Sequence, residues 1–341
     1  MVGTLQTRAL TFLPRRGLRG GHLQTLASFF FPRRIVLPPA EERMVELEPG
    51  IKVLCHCHWQ SDRRNASTLV VVHGLEGSSE SEYLLGTAEK GLAAGMNVVR
   101  MNQRNCGGTD HLAPTLYNSS LSGDVAAVAK NLIEHDHISR LALAGFSMGG
   151  NLVLKLAGEW GKTGPPQFCA VAAVCPAMDL AASADALHLK SNRLYEYYFV
   201  WKLRQRLREK ARLFPEAFDT SRLRGVLSLR DFDDKITAYY CGFNGAADYY
   251  ARAAAANVVD RVAVPALILH AANDPFIRIL PETRRKILAN PNITFIETED
   301  GGHCSFLADP IAYDGRWAER EVVEFLREFQ SVGAALGSVP A

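Results

Sequence analysis

Short apolar runs alternate with helical stretches along most of this chain, and that alternation limits its possible folds more than any other feature. Thr68–Val72 is an unbroken, largely β-branched run, the mark of a strand covered on both faces. Met96–Met101, Leu141–Ala144, Ala170–Cys175, Pro265–Ala271 and Asn292–Glu297 repeat the pattern. Helical spacing falls between them, over 82–94, 121–134, 150–157 and 314–330. The alternation predicts an α/β protein with a mainly parallel sheet and helices on both faces. Arg43–Glu48 and Ile51–Gln60 read as paired strands joined at Pro49-Gly50, whereas residues 1–42, rich in Arg, Gly and Pro, predict no clear element.

The rhythm breaks over residues 181–260, which are helical and aromatic (Tyr195, Phe199, Trp201, Tyr239, Tyr249 and Tyr250 among them). Residues 1–180 and 261–341 are therefore expected to form the core, and 181–260 a helical cap inserted over the sheet's C-terminal edge. Ligands of open α/β sheets bind at that edge.

Hydrophobic residues make up 48% of the chain and charged residues 22%, which fits an ordinary soluble globular protein. A net charge of +2 gives no reason to expect nucleic acid as a partner. Seven cysteines, an odd number without paired spacing, argue against a disulfide framework and for a reducing compartment. No apolar segment follows the N-terminal arginines, and no run reaches the roughly 18 residues a membrane span needs, so a cytoplasmic location is expected.

Gly145-Phe146-Ser147-Met148-Gly149 lies between a strand-like run and a helix-like one. A G-x-S-x-G turn in that context lifts the serine hydroxyl above the sheet edge and aims a helix N-terminus at it. A serine hydroxyl needs a base to take its proton, and the base needs an orienting acid. In this strand–turn–helix arrangement the acid and then the histidine follow the serine along the chain. His303, after Gly301-Gly302, is the candidate base; His188 falls in the cap, and His270 inside a strand reads as a satisfied core histidine. Asp274, just past a strand end and before Pro275, is the candidate acid, with Asp179 its rival; Asp309 lies after His303, in the wrong order. Donors for a developing oxyanion are expected at the backbone N–H groups of Met148 and of Leu75 in the loop His73-Gly74-Leu75-Glu76-Gly77. His73 reads as a brace for that loop; Glu76 either orients it or lies in solvent.

Other clusters carry less. Neighbouring positions of Cys55-His56-Cys57-His58 point to opposite faces of a strand, and no second cluster has zinc spacing, so no metal site is expected. Cys106 has no base placed for it, and Cys304 beside His303 reads as packing. Lys202, Arg204, Arg206, Arg208, Lys210 and Arg212 form a basic stretch over an apolar helical face. It reads as a solvated cap face, with peripheral contact to an anionic membrane as the alternative.

Taken together, Gly21-His22-Leu23-Gln24-Thr25-Leu26, His73–Gly77, the elbow running on into Gly150-Asn151, Gly242-Phe243 with Asp248-Tyr249-Tyr250, and Gly301-Gly302-His303 resemble the YheT-type family of α/β-hydrolases. The resemblance spans nearly the whole chain. It implies the α/β-hydrolase fold, a Ser147–Asp274–His303 triad, esterase or lipase chemistry on acyl esters, and no cofactor. The expected substrate is a small acyl ester, in some relatives derived from lipid. The expected activity is carboxylic ester hydrolysis through an acyl-enzyme. Acyl transfer to an alcohol by the same triad, and ligand binding without catalysis, are the alternatives.

Overall fold

A computed structural model describes residues 11–31, 33–311 and 313–330. Eight strands form one sheet: β1 (Glu41–Glu48), β2 (Ile51–His58), β3 (Thr68–Val72), β4 (Asn97–Met101), β5 (Leu141–Phe146), β6 (Phe168–Val174), β7 (Ala266–Ala271) and β8 (Ile293–Thr298). Their spatial order is β1-β2-β4-β3-β5-β6-β7-β8. β1 and β2 pair antiparallel, β2 meets β4 antiparallel, and every later pairing is parallel.

The central strands are fully buried because helices cover both faces. The helices are α1 (Gly21–Phe30), α2 (Glu82–Ala93), α3 (Ser122–Asp136), α4 (Met148–Trp160), α5 (Leu180–Leu187), α6 (Arg193–Leu213), α7 (Leu229–Phe232), α8 (Ala238–Cys241), α9 (Gly245–Ala253), α10 (Pro281–Ala289) and α11 (Trp317–Arg327). Alternate residues of one strand feed opposite cores. Val70 and Val72 join Val128, Leu132, Val153 and Leu156 on one face. Leu69 and Val71 join Leu84, Ala88, Val322 and Leu326 on the other. This is the doubly covered parallel sheet that the apolar runs predict.

The expectation for residues 1–10 lies outside the described residues, but the rest of the first 42 is not featureless. Gly21–Phe30 is helical, although Gly20 at its N-cap supplies no side-chain cap. Tertiary contacts hold this helix. Gln24 donates to Leu18 O and Leu307 O at 2.7 and 3.1 Å, and accepts from Leu307 N at 2.8 Å. The helix therefore depends on partners from the far end of the chain, which local sequence does not display.

Between β6 and β7 the chain runs through α5–α9. These helices build their own cluster, in which Val200, Leu203 and Leu207 of α6 meet Phe218, Leu223 and Phe232. Leu207 is fully buried at its centre. Leu207→Ala is expected to lower stability by about 2–5 kcal/mol, because the methylenes removed leave a cavity that a packed cluster refills only in part; urea unfolding of the two proteins measures it.

Candidate active site

Ser147 sits between β5 and α4 with φ 55° and ψ −117°, a backbone conformation that a side chain rarely adopts. The glycines on either side make it possible. A Cβ on Gly149 would collide with Val72 O and His73 O, and one on Gly145 with the carbonyl of Gly149. Ser147 N donates to Val174 O at 2.9 Å, and Ser147 O accepts from Ala177 N at 3.2 Å. The turn is thus tied to the end of β6.

The loop after β3 passes beside it. His73 is fully buried, and burial holds its pKa down to about 4. Its Nε2 accepts from Gln103 N at 3.1 Å, which leaves Nδ1–H to donate to Gly74 O at 2.7 Å. His73 is a neutral brace, as the sequence suggests. Among the described residues, no acceptor is bonded to the N–H of Leu75 or of Met148.

Asp274 follows β7 and is buried. Its Oδ1 accepts from Phe276 N and Ile277 N at 3.0 and 2.9 Å, and its Oδ2 lies 2.8 Å from His303 Nδ1. Burial raises the carboxyl's pKa, but the charge and hydrogen bond of His303 and the two backbone donors outweigh it and leave the pKa lowered. For His303, burial works against protonation, but the neighbouring Cys304 and the Asp274 carboxylate favour it and raise the pKa. The Phe276 ring lies 4.4 Å from the imidazole, centroid to centroid. Ser147 Oγ makes no hydrogen bond to His303 Nε2 in this structure; the polar atom beside that nitrogen is Cys304 Sγ, at 3.9 Å.

The rival carboxylate has a different task. Asp179 accepts from Leu280 N at 2.9 Å and Thr283 Oγ1 at 2.8 Å, and so secures the start of α10. His270 is buried in β7 as expected, but its Nδ1 has no partner among the described residues, so it is not the satisfied histidine that the sequence suggests. Cys55 and Cys57 face the core, while Arg100 borders His58 on the other side of β2.

Helix α1 braces the loops that carry the acid and the histidine. Thr25 Oγ1 accepts from His303 N at 2.8 Å while donating to Gly21 O at 2.7 Å. Gly21 packs so closely on Asn273 O that a Cβ would overlap it. Asn273 links the two loops, donating to Asp300 Oδ1 at 2.7 Å and accepting from Gly302 N at 3.1 Å. His22 stacks on Tyr195 of α6, with Nδ1 3.2 Å from the phenol oxygen.

Over Ser147 lies a mostly apolar cavity, walled by Leu75, Met148, Phe199, Leu203, Leu207 and Phe276 among others. Its volume is about 100 Å³. The cap is fastened to the loop after β3 by a buried ion pair. Arg206 Nε and Nη2 bind Glu76 Oε1 and Oε2 at 2.8 and 3.0 Å, and Nη1 reaches Asn105 O and Asp110. Tyr117 donates to Glu76 Oε1 at 2.7 Å and accepts from Glu76 N at 3.0 Å. Lys210 is fully buried, its ammonium on Asn105 Oδ1, Asp110 O and Ala113 O. Two members of the basic stretch therefore point inward and hold the cap on the core; Arg208 and Arg212 remain exposed.

The profile of the Alpha/beta hydrolase family matches residues 69–313. The chain belongs to this family, and within it to the YheT type. It is 30% identical over 325 residues to the Escherichia coli (strain K12) protein named "Putative esterase YheT", covering 93% of each chain. It is 27% identical over 282 residues to mouse "Phospholipase ABHD3", covering 82% of this chain and 67% of the relative. The Pyrococcus furiosus esterase Pf2001 superposes with a TM-score of 0.56 at 17% identity, over 88% of this chain and 97% of that one, a likeness of fold.

Arg206→Ala would leave the Glu76 carboxylate buried and unpaired beside the loop that carries Leu75. A stability loss of about 3–5 kcal/mol is expected, measured by denaturant unfolding. Arg206→Lys is not expected to restore it, because one ammonium cannot grip both carboxylate oxygens.

Proposed function

We propose that this protein is a serine hydrolase of carboxylic esters, with Ser147 as nucleophile, His303 as general base and Asp274 as the acid that orients it. The reading rests above all on the 2.8 Å contact from His303 Nδ1 to a buried Asp274 that also receives two backbone N–H groups. With Nδ1–H donating to Asp274, the neutral imidazole has its Nε2 lone pair free to take the Ser147 proton, a form that the raised pKa of His303 confines to higher pH. The side chains close on one another when a substrate enters, a tightening common to hydrolases whose free sites hold looser hydrogen bonds. Ser147 Oγ attacks the ester carbonyl, and the unengaged N–H groups of Leu75 and Met148 receive the oxyanion. His303 then protonates the leaving alcohol. Water, deprotonated in turn by His303, releases the acyl group. The names borne by the E. coli and mouse relatives, an esterase and a phospholipase, support ester hydrolysis as the reaction class.

The mostly apolar lining of the cavity suits an apolar acyl chain of short or medium length; rates across a series of p-nitrophenyl esters of increasing chain length test it. Ser147→Ala is expected to lower p-nitrophenyl ester hydrolysis at least about a thousandfold, as loss of the nucleophile does in other triads. Undiminished turnover in that variant would rule the assignment out. Product analysis with added ethanol separates hydrolysis from acyl transfer to an alcohol.

The outer face of α6 supports a peripheral contact with lipid. Leu194, Tyr197, Tyr198 and Trp201 recur at helical spacing on one face and are 83, 72, 47 and 45% exposed. Exposed Lys190, Arg193, Arg208 and Arg212 flank the stripe. Phe199, Leu203 and Leu207 of the same helix line the cavity. An aromatic and basic face of this kind seats in an anionic bilayer surface, and it would present lipid esters to the cavity. Leu194→Glu with Trp201→Glu is expected to weaken sedimentation with phosphatidylglycerol-containing vesicles by at least about tenfold. Hydrolysis of a soluble ester should change little.

A further inference from the structure

Cys175, His303 and Cys304 bring Sγ, an imidazole nitrogen and Sγ to within 4.8 Å of one another. Neither cysteine has a role in ester hydrolysis. Cys175 directly follows β6 with φ 42°, and Cys304 follows His303 with φ 58°; these left-handed backbones turn both side chains to the same place. Cys304 Sγ lies 3.9 Å from His303 Nε2 and 3.5 Å from Val174 O, and Cys175 Sγ lies 3.6 Å from Gly302 O. Both thiols are free, and Cys175 is wholly buried.

We propose that these three residues form a binding site for a thiophilic divalent cation of the zinc class, and that occupancy switches the esterase off. Zinc bonds to sulfur at about 2.3 Å and to imidazole nitrogen at about 2.0–2.1 Å in a tetrahedron. Those lengths put the ligand atoms about 3.5–3.8 Å apart, which the side chains reach by shifts of less than about 1 Å. A second observation points the same way. His303 is held from behind, Nδ1 on the buried Asp274 carboxylate at 2.8 Å. Metal-binding histidines almost always have such a carboxylate or carbonyl on the other ring nitrogen, since it fixes the tautomer and raises the basicity of the donor atom. Two cysteines and one histidine with a fourth position open is a set that zinc enzymes use. Here His303 and Cys304 are only partly buried, so a water can complete the shell. Binding forms two Zn–S bonds and one Zn–N bond and releases the two thiol protons to solvent. It also occupies Nε2, the lone pair that would receive the Ser147 proton; the inhibitory half of the proposal rests on that assignment, while the binding half does not. Cation spacing along the sequence does not reveal the site, because its ligands come from two loops more than a hundred residues apart.

The test uses the full chain, reduced and in thiol-free buffer, with Zn2+ titrated against a chromophoric zinc indicator. It is run on Ser147→Ala, alone and combined with Cys175→Ser/Cys304→Ser, so that turnover plays no part; circular dichroism checks the fold. The parent should bind one more Zn2+ per chain than the serine-substituted protein, and Co2+ in its place should give a thiolate charge-transfer absorption that the substituted protein lacks. Asp274→Asn, which leaves all three ligands in place, should weaken binding about 10–100-fold. Equal stoichiometry and the same Co2+ spectrum with and without the two cysteines would overturn the site. In the wild type, Zn2+ should abolish ester hydrolysis and a chelator should restore it. Cysteine-dependent binding with hydrolysis intact would overturn the inhibitory half and the role of His303 as base, leaving the cation site standing.

Discussion

Three strand ends converge on Ser147, and the geometry of the candidate site depends on how closely they do so. The backbone there occupies a region that costs on the order of 1–3 kcal/mol. It persists because Gly149 rests directly on the carbonyls at the end of β3, while the end of β6 bonds the serine's own peptide. The strained turn and the parallel order β3-β5-β6 are one feature seen at two scales. Helix α4 begins at the next residue, so its unbonded N-terminal amides face the same space as the serine side chain.

Much of this was legible in the residues. Strands buried on both faces need no alternation, so runs such as Thr68–Val72 show as plain apolar stretches between turn signals, and that strand has the bounds its sequence suggests. The Asp274–His303 contact was also foreseeable, since each residue stands just beyond a strand at the same edge of the sheet. What was hidden shares one cause. Helix α1 draws its hydrogen bonds from residues 303–307, so a segment full of Gly, Pro and Arg read locally as a loop. Arg206 and Lys210 read as a solvated face because their partners stand 97 to 130 positions away in sequence. A charged residue on a helix shows its period but not its counter-ion.

The cap owes its position to polar bonds as much as to apolar packing. Leu203 and Leu207 turn inward with Arg206 and Lys210, so one helix supplies both the greasy wall of the cavity and the ionic fastening to the loop after β3. A buried pair of this kind adds little net stability, but it penalises every misplaced arrangement in which either charge lacks its partner. Glu76 and Arg206 therefore set where the cap sits relative to Leu75, and with it the shape of the space above Ser147.

Helix α1 has one further consequence, for the chain entropy that the site costs. The serine turn draws on strand ends within 75 positions of it, but the histidine loop is tied by Thr25 across 278 positions and by Gln24 across 283. Contacts that close such long loops cost more chain entropy than local ones. Seating His303 therefore costs more chain entropy than forming the Ser147 turn. The loop that carries His303 is seated only when α1 packs against residues 303–307.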